Sequence, residues 1–323
     1  MDIVRVNDLV KGKLEELEKE LRRNLDSDVE MVNEVAYYVF DSGGKRLRPV
    51  FMFLTSGLFG YDGLRDVVLS GVVEYIHTAT LLHDDVIDGA KYRRGRPSAN
   101  QVFGNDITVL CGDFLYSRAF VNLVKDGDGR VQMILANAAK TMSEGEVFQL
   151  VKTANFDLDF KDYEKIIYSK TAVLFSACCE IGGIVSGCSE QHLSSLREFG
   201  KIVGLSFQMS DDILDYLGDQ MVTGKKPGTD LKEGKMTLPM ILLRDLVSKD
   251  ELEKVKEIFV SEPTEDDIYY IIDLMKRYNI KDKAEKFVDS YTLKAKGFLK
   301  EMPDNVYKDA LEFLAEYVIL RDR

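Results

Sequence analysis

The amino-acid sequence predicts an all-α protein that forms one domain over residues 1–323. Apolar residues recur at intervals of three and four along nearly the whole chain, which is the period of a helix and not of a strand. Only six prolines occur in 323 residues, so few positions would interrupt a helix. No linker, repeat or low-complexity segment divides the chain, and an apolar fraction of 45% is enough for a single sizeable core.

The predicted helices fall into an outer and a central class. Val10–Leu21 and Val306–Leu320 are amphipathic and highly charged, which is typical of helices with one solvent face. Val67–Leu82 and Ile166–Val185 are apolar on most sides, which indicates central positions. Breaks between helices are predicted at glycine- and proline-containing segments, namely Asp41–Gly44, Phe59–Gly63, Gly89–Pro97, Lys125–Gly129, Asn155–Asp159, Gly218–Gly234 and Ser261–Thr264.

The composition excludes several classes of protein. With 43 basic and 55 acidic residues the formal net charge is −12, which argues against a nucleic-acid-binding protein, since that function needs a basic face. The four cysteines form no CxxC pair, so neither a disulfide framework nor a zinc site is indicated, as expected of a cytoplasmic protein. The longest apolar stretch, Val67–Leu82, contains Glu74 and His77 and is too short for a membrane span, so no transmembrane segment is expected.

The pattern DDxxD occurs twice, each time at the predicted end of a central helix. Asp84–Asp88 precedes Gly89, and Asp211–Asp215 precedes Gly218. Residues i and i+4 share a helix face, so the first and last aspartates of each copy point the same way. Like charges at this spacing repel, and a helix C-terminus disfavours each anion by about 0.3–1 kcal/mol. Two such arrangements indicate bound Mg²⁺, which takes one or two carboxylates with substrate phosphates; two solvated acidic helix ends are the alternative.

Basic residues suited to a diphosphate lie near both clusters. Gly44, Lys45 and Arg48 lie at the start of a predicted helix, where backbone amides and cations together attract anions. Arg93 and Arg94 follow the first cluster, and an arginine can donate to two phosphate oxygens at once. Basic clusters are also common on exposed surfaces, so each segment alone is a weak signal.

Further polar residues lie within or after the central helices. Lys170 lies in an otherwise apolar helix, so its ammonium is expected to meet an anion unless it extends to solvent. Lys225 and Lys235 follow the second cluster in a loop that could close over phosphates or simply be exposed. His77 and Gln208 lie two turns and one turn before the two clusters, where each could donate to a phosphate or be structural.

Taken together, these residues resemble the trans-isoprenyl diphosphate synthases, also called polyprenyl synthetases. The match runs in order over nearly the whole chain, through Gly43–Pro49, Asp84–Gly95, Gly145–Gln149, Lys170-Thr171, Phe207–Asp215 and Gly224–Lys235. Within the family, Ile76–Asp85 and Glu144–Leu150 are most similar to bacterial octaprenyl diphosphate synthases.

The resemblance implies a helical bundle around a central active-site cavity, a homodimer, and three Mg²⁺ ions with bound diphosphate. It implies that Mg²⁺ is ligated by Asp84, Asp88 and Asp211. It implies that Asp85, Asp212 and Asp215 are also catalytic and act through water or neighbouring groups. The residues implied at the allylic diphosphate are Arg93, Lys170 (also catalytic), Thr171, Gln208, Lys225 and Lys235. The residues implied at isopentenyl diphosphate are Gly44, Lys45, Arg48, His77 and Arg94.

The residues just before Asp84 predict the product length. A prenyl chain whose diphosphate is held at Asp84 would run back along this helix past Thr80 and Ala79, then Ile76 and Tyr75. The resemblance implies aromatic plugs at the first two positions in short-chain members, so the small residues here favour a long all-trans product. A farnesyl or geranylgeranyl diphosphate synthase is the alternative, since Tyr75 could block the tunnel or line it. Candidates for the tunnel floor are Met133, Ile134 and Asn137.

Two other functions remain as alternatives. A terpene cyclase also combines DDxxD with Mg²⁺ but needs no isopentenyl diphosphate site, so the second DDxxD and the Gly43–Pro49 segment argue against it. A catalytically silent subunit would lack aspartates of the clusters, and both clusters are complete here.

Overall fold

The structure, a computed structural model, describes residues 1–23, 25–218 and 227–320, the last three without their side chains. Helices make up nearly all of the regular structure in these ranges, which confirms the all-α prediction. The helices are α1 (Ile3–Arg23), α2 (Glu30–Asp41), α3 (Leu47–Leu58), α4 (Arg65–Ile87), α5 (Ala99–Phe103), α6 (Asn105–Asp126), α7 (Gly129–Lys152), α8 (Phe160–Ile167), α9 (Val173–Ser186), α10 (Glu190–Leu217), α11 (Thr229–Lys232), α12 (Leu238–Arg244), α13 (Lys249–Val260), α14 (Glu265–Arg277), α15 (Ile280–Phe298) and α16 (Val306–Leu320). A π-turn (Tyr168–Ala172) joins α8 to α9, and strands β1 (Tyr92–Arg93) and β2 (Arg96–Pro97) form an antiparallel hairpin.

The chain divides into two compact units. Unit 1 comprises Met1–Ala139, Ala177–Leu193 and Pro303–Leu311, and unit 2 comprises Lys140–Ser176, Ser194–Met302 and Glu312–Arg323. The single domain expected from the sequence stays a prediction.

Unit 1 is built around α4, which packs against α1, α3 and α6. This helix buries residues on nearly every side, which confirms the central position predicted for Val67–Leu82. Gly71 faces α1, and a Cβ there would lie in ordinary contact, 3.8–4.0 Å from side-chain atoms of Glu20, Leu21 and Leu17. Tyr75 also links α4 to α1, because its hydroxyl donates to the Leu21 carbonyl at 2.7 Å. These contacts fix the direction of α4 and therefore the place where it ends.

In unit 2, α12 packs against α8, α14 and α15. The largest fully buried side chains here are aromatic, among them Tyr163, Phe175, Phe199 and Phe259. Arg244 ties α12 to the segment before α8 by donating to the carbonyl oxygens of Phe156 and Leu158 at 3.0 and 2.8 Å. Tyr163 of α8 contacts Asp212 of the second DDxxD copy on α10.

One predicted helix differs from expectation. The sequence predicts one continuous helix over Ile166–Val185, whereas α8 ends at Ile167 and the π-turn intervenes before α9. The amide of Val173 donates to the carbonyl of Tyr168, five residues back instead of four. The π-turn therefore inserts one extra residue, and it carries Lys170 and Thr171.

By length and composition alone, α6 is the one helix among residues 1–23, 25–218 and 227–320 that could cross a membrane. Buried helices of globular cores meet the same criterion, and α6 buries Cys111, Leu115 and Ala119 within unit 1. The expected absence of a membrane span stays a prediction.

Candidate active site

The first Asp cluster lies at the end of α4, as predicted. Between positions 77 and 84 of α4, the partly exposed residues include His77, Thr80, Leu81 and Asp84. Their helical spacing places them on one face, which is called the open stripe below. Asp84 lies at the C-terminal end of this stripe and is partly exposed. Asp88 caps the helix, donating its amide to the Asp84 carbonyl at 2.8 Å, and its side chain is exposed. Both carboxylates therefore occupy an accessible helix end.

Asp85 points the other way and is buried. The Nε of Arg93 donates to both carboxylate oxygens of Asp85, at 2.7 and 2.9 Å, and a second guanidinium nitrogen lies 2.6 Å from Oδ1. The Asp85 carbonyl accepts from the amide of Ala90 and the side chain of Asn100. Asp85 therefore anchors the hairpin after α4. Arg93, predicted to contact the allylic diphosphate, pairs here with Asp85.

Most of the residues predicted to hold isopentenyl diphosphate gather in unit 1. A guanidinium nitrogen of Arg48 lies 3.2 Å from Nε2 of His77, and a Cβ on Gly44 would lie 3.2 Å from the guanidinium of Arg94. Burial and the surrounding positive charge lower the pKa of Arg48 and of Arg94, and they lower the pKa of His77 well below its ordinary value. Lys45 is exposed. So much positive charge around a neutral imidazole favours an anionic ligand.

A second ion-pair network underlies this basic cluster. Arg46 lies beside the cluster and is only 10% exposed, with nitrogens 2.7 Å from Glu74 and 2.8 Å from Glu18. Glu74 accepts from Arg46, whereas His77 contacts Arg48. Arg46 thus offsets the negative charges of Glu18 and Glu74.

The second Asp cluster lies near the end of α10, also as predicted. Asp212 is buried and accepts from the Tyr163 hydroxyl at 2.6 Å and from the Gln208 amide at 2.9 Å. Gln208 in turn accepts from the Thr171 hydroxyl at 2.7 Å. Asp211 remains partly exposed. The hydrogen-bond chain therefore fixes Asp212 and brings together Thr171 and Gln208, both predicted to contact the allylic diphosphate.

Asp215 holds the segment that follows the second cluster. Its carboxylate accepts the amides of Thr229 and Asp230 at 3.2 and 3.0 Å, and its carbonyl accepts the amide of Gly228 at 2.9 Å. Asp215 therefore caps the short helix α11. The same contacts place Asp230, which the sequence analysis did not single out, beside the cluster. Lys225 lies outside the described residues.

The acidic groups of this cluster are electrostatically unfavourable together. Burial raises the pKa of Asp212 to about 6, and it also raises the pKa of Asp215. Burial and the charges of Asp212 and Asp215 raise the pKa of Asp230 well above its ordinary value, while Lys235 acts in the opposite direction. Carboxylates crowded in this way, with all-oxygen donors, fit a hard divalent cation.

The metal donors are incomplete as protein groups alone. In the part of the chain that the structure describes, no three His, Cys, Asp or Glu side chains are arranged to hold a metal ion. Mg²⁺ usually takes one or two carboxylates and completes its shell with water and substrate phosphates. Asp84, Asp88 and Asp211, the predicted ligands, are all at least partly exposed, as is Asp215, whereas Asp85 and Asp212 are buried.

Lys170 is 30% exposed and contacts an anion, as predicted for a cation in an apolar helix. Its ammonium lies 3.2 Å from Glu146, which also accepts from Gln149 at 3.1 Å. A cavity of about 90 Å³ in unit 2 opens beside this pair. Three residues predicted at the allylic diphosphate line it, namely Lys170, Gln208 and Lys235, together with Asp212 and Asp230.

The four predicted chain-length residues occupy different sides of α4. Tyr75 is 1% exposed, bonds Leu21 and packs edge-on against Phe40, so it belongs to the core of unit 1. Ile76 and Ala79 are fully buried, whereas Thr80 lies on the open stripe. The tunnel-floor candidate Met133 is 62% exposed, and Asn137 is also exposed. Thr80 is therefore the member of the set best placed to meet a bound chain.

Four site residues escaped the sequence analysis: Arg46, Glu146, Tyr163 and Asp230. Arg46 and Glu146 lie inside motifs that were recognised, but nothing in the sequence distinguishes the residue that pairs internally from its neighbours. Tyr163 lies on the apolar face of the amphipathic helix α8, where a buried hydroxyl needs a partner, and this was the available signal. Asp230 lies five residues before Lys235, within a segment predicted only for its lysines.

Comparisons with known proteins identify the family of this chain. A family model for polyprenyl synthetase matches residues 29–275. Octaprenyl diphosphate synthase of Escherichia coli is 34% identical and covers 100% of each chain. Among solved structures, decaprenyl diphosphate synthase from Rhodobacter capsulatus is 36% identical with a TM-score of 0.94 and covers 99% of each chain. A polyprenyl synthase from Caulobacter crescentus, solved with calcium and isoprenyl diphosphate, is also 36% identical with a TM-score of 0.94, covering 100% of this chain and 98% of that one. The chain belongs to the polyprenyl synthetase family, whose members are prenyltransferases.

Proposed function

We propose that this enzyme condenses isopentenyl diphosphate with an allylic diphosphate and repeats the step to make a long-chain all-trans polyprenyl diphosphate. The observation that carries the proposal is the open stripe of α4, which leads from Asp84 back past the small side chain of Thr80. Similarity to octaprenyl and decaprenyl diphosphate synthases supports a long product. A farnesyl or geranylgeranyl diphosphate synthase is less favoured, since no aromatic residue stands at position 79 or 80.

The allylic diphosphate is assigned to the cavity of unit 2. Lys170 supplies an ammonium, Thr171 and Gln208 supply hydrogen-bonding groups, and Lys235 lines the same cavity. Mg²⁺, proposed as three ions held through Asp84, Asp88 and Asp211, would neutralise charge on the departing diphosphate when bound. Fixed cationic donors favour the transition state in which this charge develops. These residues therefore assist ionisation of the allylic C–O bond.

Isopentenyl diphosphate is assigned to the basic cluster of unit 1. Because a guanidinium has only donors, Nε2 of His77 accepts from Arg48, and the neutral ring carries its proton on Nδ1. His77 can thus donate to a phosphate oxygen beside Arg48 and Arg94. The double bond of the bound isopentenyl group attacks the allylic carbon, and a proton is then lost to the released diphosphate. Water must be excluded during this step, since it would trap the cation.

A product assay tests the proposed function. The purified chain is incubated with Mg²⁺, labelled isopentenyl diphosphate and a farnesyl diphosphate primer, and the products are separated by chain length. We expect a long polyprenyl diphosphate, no product without the primer, and no product after chelation of Mg²⁺. Mainly farnesyl or geranylgeranyl diphosphate would contradict the long-chain assignment. Hydrocarbon or alcohol from the primer alone would indicate a terpene cyclase, and inactivity of the intact chain would indicate a silent subunit.

Replacement of Thr80 by phenylalanine is expected to shorten the product by at least one isoprene unit while the requirement for Mg²⁺ is unchanged. The larger ring would fill the open stripe next to Asp84. Thr80→Ser is the matched control, because it keeps the hydroxyl that donates to the His77 carbonyl at 2.7 Å and adds no bulk. Product chromatography gives the answer, and an unchanged length distribution in a folded Thr80→Phe enzyme would place the tunnel elsewhere.

The enzyme is further proposed to form a homodimer through α6. Its exposed apolar residues Leu110, Val121 and Val124 follow helical spacing, and Leu110 and Val124 are 62% and 73% exposed. An apolar stripe of this kind on one helix suits pairing with the same stripe of a second copy. Light scattering on the purified chain is expected to give twice the mass of 36.6 kDa; a concentration-independent single-chain mass would contradict the dimer.

A further inference from the structure

We propose that Gly145 and Gly204 position Lys170 and Thr171 by leaving room for the π-turn that carries both. The inference rests on the proposed function, which assigns the allylic diphosphate to Lys170 and Thr171. Neither glycine touches that diphosphate in the proposal, so both act through the π-turn.

The π-turn corrects the register between two hydrogen bonds to α10. Tyr163 donates to Asp212 and Thr171 donates to Gln208, and these acceptors lie one turn apart on α10. Tyr163 and Thr171 are eight residues apart. In an uninterrupted α-helix each residue turns about 100° around the helix axis, so these two side chains would point about 80° apart. The extra residue in the π-turn makes their spacing equivalent to seven residues, which brings the two directions to about 20° apart. Both hydroxyls can then face α10.

The wider π-turn needs space, and two helical glycines provide it. A Cβ on Gly145 of α7 would lie 2.2 Å from Cβ of Ser169. A Cβ on Gly204 of α10 would lie 2.5 Å from Cα of Ala172. Ser169 and Ala172 belong to the π-turn and flank Lys170 and Thr171. Neither close contact can be relieved by turning a flexible side chain, so alanine at either glycine would displace the π-turn or its neighbour.

Such a displacement acts directly on the two polar side chains. Lys170 lies 3.2 Å from Glu146, the residue after Gly145, and Thr171 holds Gln208 at 2.7 Å. Both are hydrogen-bond contacts, which weaken steeply with distance and angle. A misplacement of about 1 Å in a group that positions substrate can lower a rate about 100-fold. The expected loss therefore concerns the allylic substrate and not isopentenyl diphosphate.

The test compares Gly145→Ala and Gly204→Ala with Gly297→Ala. Gly297 lies in helix α15 of the same unit, and a Cβ there would have no atom within 4 Å. We expect the KM for the allylic primer to rise about 10- to 100-fold in the first two variants, with the KM for isopentenyl diphosphate within about twofold of wild type. The Gly297→Ala control is expected to match wild type for both substrates.

A binding measurement separates this inference from the proposed function. The probe is saturated farnesyl diphosphate, which lacks the allylic double bond and cannot ionise, titrated calorimetrically with Mg²⁺ present. No binding to the wild-type enzyme would contradict the proposed function itself. Binding to wild type and equally tight binding to both glycine variants would overturn the inference alone. Weaker binding to both variants, with the Gly297→Ala control unchanged, is the expected result.

A compensating variant shows whether the close contact is the cause. Ser169→Gly removes the Cβ that an alanine at 145 would meet, leaving Cα of Ser169 as the next backbone atom at 3.4 Å. Gly145→Ala combined with Ser169→Gly is therefore expected to bind the probe as Ser169→Gly alone does. If Gly145→Ala does not fold, this double variant and Gly204→Ala still carry the test. Failure of the double variant to recover binding, or equal loss of affinity for both substrates, would overturn the inference.

Discussion

Replacement of Asp84 or Asp211 by asparagine is expected to lower turnover about 100- to 1,000-fold. Stabilisation of charge by a bound metal ion contributes several kcal/mol to a transition state, and each 1.36 kcal/mol is tenfold in rate. Asparagine keeps the shape and one oxygen donor but loses the negative charge that holds the cation. Both aspartates are partly exposed at helix ends, so the substitution should leave packing intact.

The measurement is kcat over a range of Mg²⁺ concentrations, with both substrates saturating. Each variant is expected to need more Mg²⁺ for half-maximal rate, which a purely structural defect would not produce. Asp106→Asn is the matched control, since Asp106 is an exposed carboxylate on α6 outside both clusters. Wild-type kcat and Mg²⁺ dependence in Asp84→Asn and Asp211→Asn would exclude these aspartates as ligands.

Local sequence signals were sufficient for the helix ends that carry these aspartates. Apolar residues at helical spacing followed by Gly89 and by Gly218 located the ends of α4 and α10, which the structure confirms. These signals act over a few residues, so no tertiary information was needed. The same reasoning located most helix breaks along the chain.

Pairings between distant residues could not be predicted in this way. The resemblance implies that Arg93 contacts the allylic diphosphate, and this stays a prediction. The structure adds two hydrogen bonds from Arg93 to the buried Asp85, which the hairpin after α4 brings near and the local sequence does not indicate. Asp230 joins the second cluster for the same reason, through amide bonds to Asp215.

The π-turn was also beyond prediction from local sequence. Ile166–Val185 is apolar on most sides, and such composition suits an α-helix and a π-turn equally. The register is set by partners elsewhere in unit 2, which include Asp212, Gln208 and the two glycines beside the turn. Tyr75 gives a parallel case, since its spacing from Asp84 suggested a tunnel residue and its bond to Leu21 places it in the core.

Replacement of Lys13 by methionine is expected to destabilise the protein by about 3–5 kcal/mol, since removing one partner of a buried ion pair leaves the other charge uncompensated. The Asp66 carboxylate is 0% exposed and contacts the Lys13 ammonium and the Ser56 hydroxyl, the latter at 2.5 Å. Lys13 also lies over the rings of Tyr61 and Phe53. Methionine keeps an apolar stem against these rings but removes the ammonium from both Asp66 and the rings. Urea unfolding measures the free-energy difference.

Two further variants decide whether the buried charge is the cause. Lys19→Met makes the same substitution on the same helix, but Lys19 pairs with Glu16 at an exposed site, so no measurable change in stability is expected. Adding Asp66→Asn to Lys13→Met removes the uncompensated charge while an oxygen remains for Ser56. The double variant should therefore be more stable than Lys13→Met alone. Equal stability of the two would mean that Lys13 acts through its ring contacts, because neutralising Asp66 would then have no effect.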